Sequence, residues 1–184
     1  MEVMISKKQT LLLVIFFQIL IVGGIFLQAF HPLLAGEEVQ FKILSFTSDE
    51  ASSRGNINLE YAFNSLDLNI LPTDINKAYQ YHYGDIFYLS IAPKGEFYEP
   101  TGVWRTPPKE EKFMQVIFQD DFDYDTLRIL SVKAGIESYF VEKESISKVN
   151  NWIPDKETDI IVKVMLASNG KARIKSIELR NAKK

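Results

Sequence analysis

The chain has 184 residues, enough for one domain of ordinary size. With 21 basic and 24 acidic side chains its formal charge is −3, which leaves no basic excess to draw in a phosphate backbone and sets nucleic-acid binding aside. Cysteine is absent from the sequence, so disulfides, thiolate nucleophiles and zinc–thiolate sites are removed together.

From Thr10 to Phe30 the run TLLLVIFFQILIVGGIFLQAF carries no ionisable group. At a rise of about 1.5 Å per residue it makes a helix of about 30 Å, the thickness of a hydrocarbon core. Lys7 and Lys8 precede it and Glu37 and Glu38 follow, a bias that places residues 1–9 in the cytoplasm and the rest of the chain outside. A cleaved signal peptide is the rival reading, and a buried soluble helix a third. Against cleavage, the run exceeds the usual length of a signal peptide's apolar region, and Leu33-Leu34-Ala35-Gly36 fits the small-x-small pattern poorly. Gly23 and Gly24 lack small-xxx-small spacing and read as ordinary glycines of a membrane helix. Gln18 is more informative, because an amide in lipid prefers a partner on another helix; it is the candidate membrane-partner contact.

His31 and Pro32 are expected to end this helix, residues 31–36 to form a juxtamembrane linker, and residues 37–184 to form the outer domain. Apolar side chains then alternate in Val39–Ile43 and in Ile57–Phe63, two half-buried strands joined by the polar stretch SDEASSRGN and expected to pair antiparallel. A strand-like piece from Leu66 breaks at Pro72, and Asp74 is placed to cap a short helical turn. His82-Tyr83-Gly84-Asp85 reads as a turn into the aromatic strand Ile86–Ile91, which is expected to stop at Pro93-Lys94-Gly95. Pro100, Gly102 and Pro107-Pro108 mark a loop or a weak edge strand.

Phe113–Phe118 is the next strand, the acidic run DDFDYD follows, and Leu127–Val132 alternates again. Ile136–Val141 either continues a strand or leads into EKESISKVNNW, where Ile146, Val149 and Trp152 have the spacing of a short amphipathic helix. Asp159–Leu166 and Ala172–Leu179 alternate on either side of Ser168-Asn169-Gly170, the clearest hairpin in the sequence. The sum is a mainly β fold: a compact antiparallel sandwich or barrel-like domain with one or two short helices, preceded by one transmembrane helix.

Chemistry-bearing candidates are sparse. DDFDYD lacks the ligand order and glycine of a calcium loop and reads as a solvated turn. His82 is the only histidine in the domain, too few for a multi-histidine zinc site, and there is no G-x-S-x-G elbow for it to serve. No metal site, cofactor or catalytic residue is expected, and the reading leans away from an enzyme. Tyr79, Tyr81, Tyr83, Tyr88, Phe97, Tyr98 and Trp104 gather in one section, part core and part a surface suited to contact, with Trp104 a candidate contact. Arg54, before Gly55 in a polar loop, has two readings: a structural turn, or an arginine positioned for a carboxylate or phosphate.

Several stretches resemble the GDYXXLXY family of membrane-anchored proteins, whose molecular function is not established. Arg54-Gly55-Asn56-Ile57-Asn58-Leu59-Glu60-Tyr61 is similar to its R-G-D-Y-x-x-L-x-Y signature, one residue short and without the aspartate and first tyrosine. YGDIFYLSI resembles its second glycine–aspartate strand opening, and NGKARIKSIEL its closing hairpin. AGIESYFVEKE, from Ala134 to Glu144, resembles its Y-G-I-E-x-Y-F-V-P-E block, with Ala134 for tyrosine and Lys143 for proline. The likeness spans about residues 37–180. It implies a bacterial cell membrane and, as partner, a multi-spanning membrane protein, since members tend to be encoded beside or fused to one. The expectation is therefore an accessory or binding domain of a cell-envelope membrane complex, with Arg54, Glu137 and Tyr139 as a polar contact set. A hydrolase of envelope glycan or lipid, using carboxylates in an aromatic cleft, is the alternative, and a purely structural domain the third.

Overall fold

The structure, a computed structural model, describes residues 7–48, 56–75, 81–120, 129–140 and 158–181. The expected amphipathic helix around Ile146–Trp152 lies outside them, as do Arg54, most of the acidic run and residues 76–80, over which a helical turn from Asp74 would continue. One helix, α1 (Lys7–Ala35), is long and apolar enough to cross a membrane, and its apolar side chains are exposed rather than covered by the domain. It spans 29 residues and does not stop at His31-Pro32. Proline removes a single amide here, in the last turn, and its ring is buried against the domain, which offsets the lost bond. The amide of Gly36 then donates to the Pro32 carbonyl at 2.8 Å, and strand β1 begins at Glu37. The segment expected as a linker is thus a helix end and one glycine.

Ten strands follow among the described residues: β1 (Glu37–Ser48), β2 (Asn56–Tyr61), β3 (Ser65–Asp67), β4 (Ile86–Lys94), β5 (Phe97–Trp104), β6 (Phe113–Phe118), β7 (Ile129–Lys133), β8 (Ser138–Phe140), β9 (Thr158–Leu166) and β10 (Ala172–Asn181). They make two five-stranded antiparallel sheets, ordered β10-β9-β1-β2-β8 and β3-β7-β6-β4-β5. The expected pairing of β1 with β2 and the β9–β10 hairpin are both present.

Alternation places the core. Val39, Phe41 and Ile43 of β1, Ile57, Leu59 and Tyr61 of β2, and Val162 and Val164 of β9 point inward from the first sheet. Phe87, Leu89 and Ile91 of β4, Met114, Val116 and Phe118 of β6, and Leu130 and Val132 of β7 meet them from the second. Phe63 stacks on Tyr61 at 4.7 Å between ring centres and meets Phe41 edge-on at 5.3 Å. Ala62–Asn64 is one 3-10 turn, so β2 ends two residues short of the alternating run: the chain must turn there to cross from the first sheet to β3 in the second.

Proline and glycine sit where strand geometry tolerates them. Pro93 and Pro100 lie in the β4–β5 hairpin, whose outer strand β5 is a sheet edge, as the proline-rich stretch suggests. The β9–β10 hairpin docks on the second sheet, where the Gln115 amide donates to the Gly170 carbonyl at 2.8 Å. Gly170 closes this turn at φ +82°, and a Cβ on it would stand 2.7 Å from the Phe113 ring and 3.0 Å from the Gln115 nitrogen. Gly170→Ala therefore combines a left-handed conformation with a clash; a loss of about 2 kcal/mol, read as a lower urea midpoint, is expected.

Candidate functional site

Glu137 occupies the corner where the two sheets exchange strands. Gly135, at φ +77°, bends the chain between β7 and β8. The Glu137 carboxylate closes this bend by accepting from the Ala134 amide at 2.6 Å and the Gly135 amide at 2.8 Å. Asn64, in the 3-10 turn, donates to the same carboxylate at 3.1 Å and to the Val132 carbonyl at 2.9 Å, while its oxygen accepts from the Tyr61 amide at 2.8 Å. The Leu59 amide donates to the Glu137 carbonyl at 2.7 Å, and the Tyr61 hydroxyl to the Ile136 carbonyl at 3.0 Å. The chemistry of this cluster is that of a clamp: a carboxylate with three donors fixes two crossings to each other.

Burial pushes the Tyr61 phenol above its ordinary range, and the nearby Glu137 charge adds to the shift. A phenol whose folded pKa is raised leaves stability intact below its unfolded value of about 10 and costs stability above it, because the unfolded chain ionises first. The stability difference between wild type and Tyr61→Phe is therefore expected to favour wild type at pH 7, by about 1 kcal/mol for the bond to Ile136, and to shrink above pH ~10. Paired urea titrations at the two pH values read it directly.

Of the other residues marked by sequence, Tyr139 lies on β8 opposite Ile57, half-buried against the core. Glu137 and Tyr139 thus flank the same edge of the first sheet. Trp104 lies elsewhere, on the β5 edge of the second sheet. Its indole donates to the buried Ser90 hydroxyl at 2.8 Å and covers Gly102, whose absent side chain leaves room for the ring. Tyr81 is buried beside Phe87, whereas Tyr83 is exposed, so the aromatic section divides between core and surface. Gln18 lies on α1 between Ile15 and Val22, and among the described residues nothing hydrogen-bonds its side-chain amide.

Two grooves were not foreseen. The first, of about 480 Å³, is the seam where the second sheet curls so that its outer strands β3 and β5 both approach β1. Leu44, left exposed by a bulge in β1, and Ile70 form apolar walls. Asp67 and Glu99 also border it, but Asp67 accepts from both nitrogens of Asn69, at 2.8 and 2.9 Å, and Glu99 pairs with Lys94 at 2.7 Å. Each carboxylate is held by its own neighbours rather than presented as an acid–base pair. At the end of β1 near the helix, Lys112 pairs with Glu37 at 2.5 Å and contacts the Tyr98 hydroxyl at 3.1 Å. Burial disfavours its charge, but these two partners outweigh burial and hold its pKa above the usual lysine range.

The second groove, of about 380 Å³, lies between α1 and the domain. Ile25, Ala29 and Pro32 face Ile86 and Ile117 across it, with Lys171 and Arg173 along one side. An isoleucine at the outward position of a strand was the available signal, visible in Ile117 beside Val116. Nothing in the sequence pattern placed it next to the helix. Among the described residues no cluster of three histidine, aspartate or glutamate side chains suits a metal ion.

Comparison with known proteins establishes the family. Residues 18–177 match the family described as GDYXXLXY protein, so the chain belongs to it, and the match takes in α1 from Gln18 as well as the domain. No curated protein and no solved structure matches the chain. It is a membrane-anchored member of that family with a β-rich extracytoplasmic domain.

Proposed function

We propose that this chain is a non-enzymatic accessory domain of a cell-envelope membrane complex, joined to a multi-spanning membrane partner through the Gln18 face of α1. The observation that carries the reading is an amide near the middle of a lipid-exposed helix with no acceptor or donor of its own among the described residues. In hydrocarbon that group is stabilised by a hydrogen bond from a second helix. Lys7 and Lys8 at the start of α1 favour a cytoplasmic N-terminus, with the domain on the opposite side of a bacterial cell membrane. The engagement of Glu137, Asp67 and Glu99 in local structure also favours a binding role over a hydrolytic one.

The test is a photo-crosslinking amino acid at Ile19 or Val22, activated in intact membranes of the native host, with mass identification of the adducts. A reproducible adduct with a multi-spanning protein, abolished by Gln18→Leu, is expected. Adducts with lipid alone, or with a second copy of the chain alone, would refute the accessory reading.

A further inference from the structure

The groove between α1 and the second sheet has the chemistry of a lipid site. A hydrocarbon core of about 30 Å takes about 20 residues of helix, so a span that starts just after Lys8 ends near Gln28. Ile25, Gln28, Ala29 and Pro32, which form one wall of the groove, therefore stand at the boundary between acyl chains and headgroups on the domain's side. The domain reaches down to that depth because α1 enters β1 through Gly36 alone and its end packs on β9 and β10.

The opposite wall is apolar where a free strand surface would be polar. Ile86 and Ile117 are direct cross-strand partners of β4 and β6, with 53% and 42% of their surface exposed. The rim is cationic. Lys171 and Arg173 border the groove, and Lys133 lies opposite Ile117 in the β6–β7 pairing. All three are exposed, and among the described residues none has a carboxylate partner. By contrast, Lys94, Lys112, Lys163 and Lys175 are each ion-paired. The groove's lining includes no acidic residue.

We propose that this groove binds an anionic phospholipid of the leaflet on the domain's side. Its phosphate lies between Lys171 and Arg173, and its upper acyl chains lie along Ile25, Ile86 and Ile117. Two charges of one sign at the headgroup level, above two apolar walls at chain level, match the two ends of such a molecule. The bound lipid covers isoleucines that the fold leaves bare, and fastens the domain against its own anchor. This inference goes beyond the accessory role and needs no protein partner.

The experiment is native mass spectrometry of the full-length chain, purified in mild detergent and titrated with phosphatidylglycerol or phosphatidylcholine. One phosphatidylglycerol is expected to be retained at concentrations where phosphatidylcholine is not. Lys171→Gln/Arg173→Gln is expected to weaken retention about 25-fold, at roughly a fivefold loss per cation. Lys94→Gln/Lys163→Gln, with the same charge change elsewhere, is expected to leave retention unchanged. Ile117→Ser gives a second reading through the apolar wall and is expected to lower retention of phosphatidylglycerol. Equal retention of the two lipids by wild type, or undiminished phosphatidylglycerol retention by Lys171→Gln/Arg173→Gln, would overturn the proposal. Displacement by millimolar inorganic phosphate would overturn it as well, since it would mark a site for a free anion.

Discussion

Replacing Glu137 with alanine is expected to destabilise the domain by about 3 kcal/mol, which for a domain of this size lowers Tm by about 6–12 °C. The size follows from what the carboxylate holds. It accepts from two backbone amides, at 2.6 and 2.8 Å, and from Asn64 at 3.1 Å, so its removal leaves three donors in a half-buried corner. Charge-assisted bonds are worth about twice neutral ones, and unpaired donors away from water add to the loss. Glu137→Gln is expected to lose less: one amide oxygen still accepts from Ala134, while the new NH2 opposes the Gly135 amide. Thermal unfolding followed by circular dichroism measures both. The result also separates two roles for this residue. A contact side chain for a partner would leave Tm unchanged and lose only the partner, whereas the clamp geometry predicts the opposite.

The corner explains why one stretch stands out in sequence. In Ala134–Glu137, Gly135 supplies a backbone conformation with φ +77°, Ile136 is buried, and Glu137 folds back onto the two amides that precede it. These are local relations, which sequence spacing can express. Asn64 is the other half of the clamp and carries no such sign: it lies 73 positions from Glu137 and looks like any polar residue after a strand. The same contrast holds across the fold. Phe113–Phe118 and the β9–β10 hairpin were readable, because period-two alternation and a glycine turn are both short-range. Sheet order was not, because nothing local says that β1 lies between β9 and β2 or that β5 and β3 border one seam.

The candidate contacts divide on the same physical line. Trp104 stood out as a large aromatic in a proline-rich stretch, but its ring is spent on Gly102 and its N–H on Ser90, so much of its surface serves the β4–β5 hairpin. Lys171 and Arg173 drew no attention, being two of 21 basic residues near a turn. What distinguishes them is the lack of a carboxylate partner among the described residues and their place beside α1, both tertiary facts. Gln18 was legible because an all-apolar background makes a single amide conspicuous.

Gly36→Ala is the other substitution with a large expected effect, and the cause is space rather than backbone freedom. A Cβ at this position would stand 2.2 Å from the Pro32 carbonyl oxygen and 3.1 Å from the backbone carbon and nitrogen of Leu166. Backbone lies on both sides, so neither neighbour can give way as a flexible side chain would. The least costly relief opens the last turn of α1, breaking the Gly36–Pro32 bond and lifting the helix end from β9. Overpacking of this kind costs about 1–3 kcal/mol. In the folded protein the Gly36 amide is held by Pro32, so its hydrogen exchange is expected to accelerate at least about tenfold, in keeping with a local loss of about 1.4 kcal/mol. The core amides of β6 and β9 are expected to keep most of their protection, because the sandwich does not depend on the helix. Unchanged exchange at Gly36 would mean that the junction absorbs a methyl group. Acceleration there with an intact core would show that one glycine sets how firmly the domain is held to its membrane anchor, and with it the width of the groove between Pro32 and Ile117.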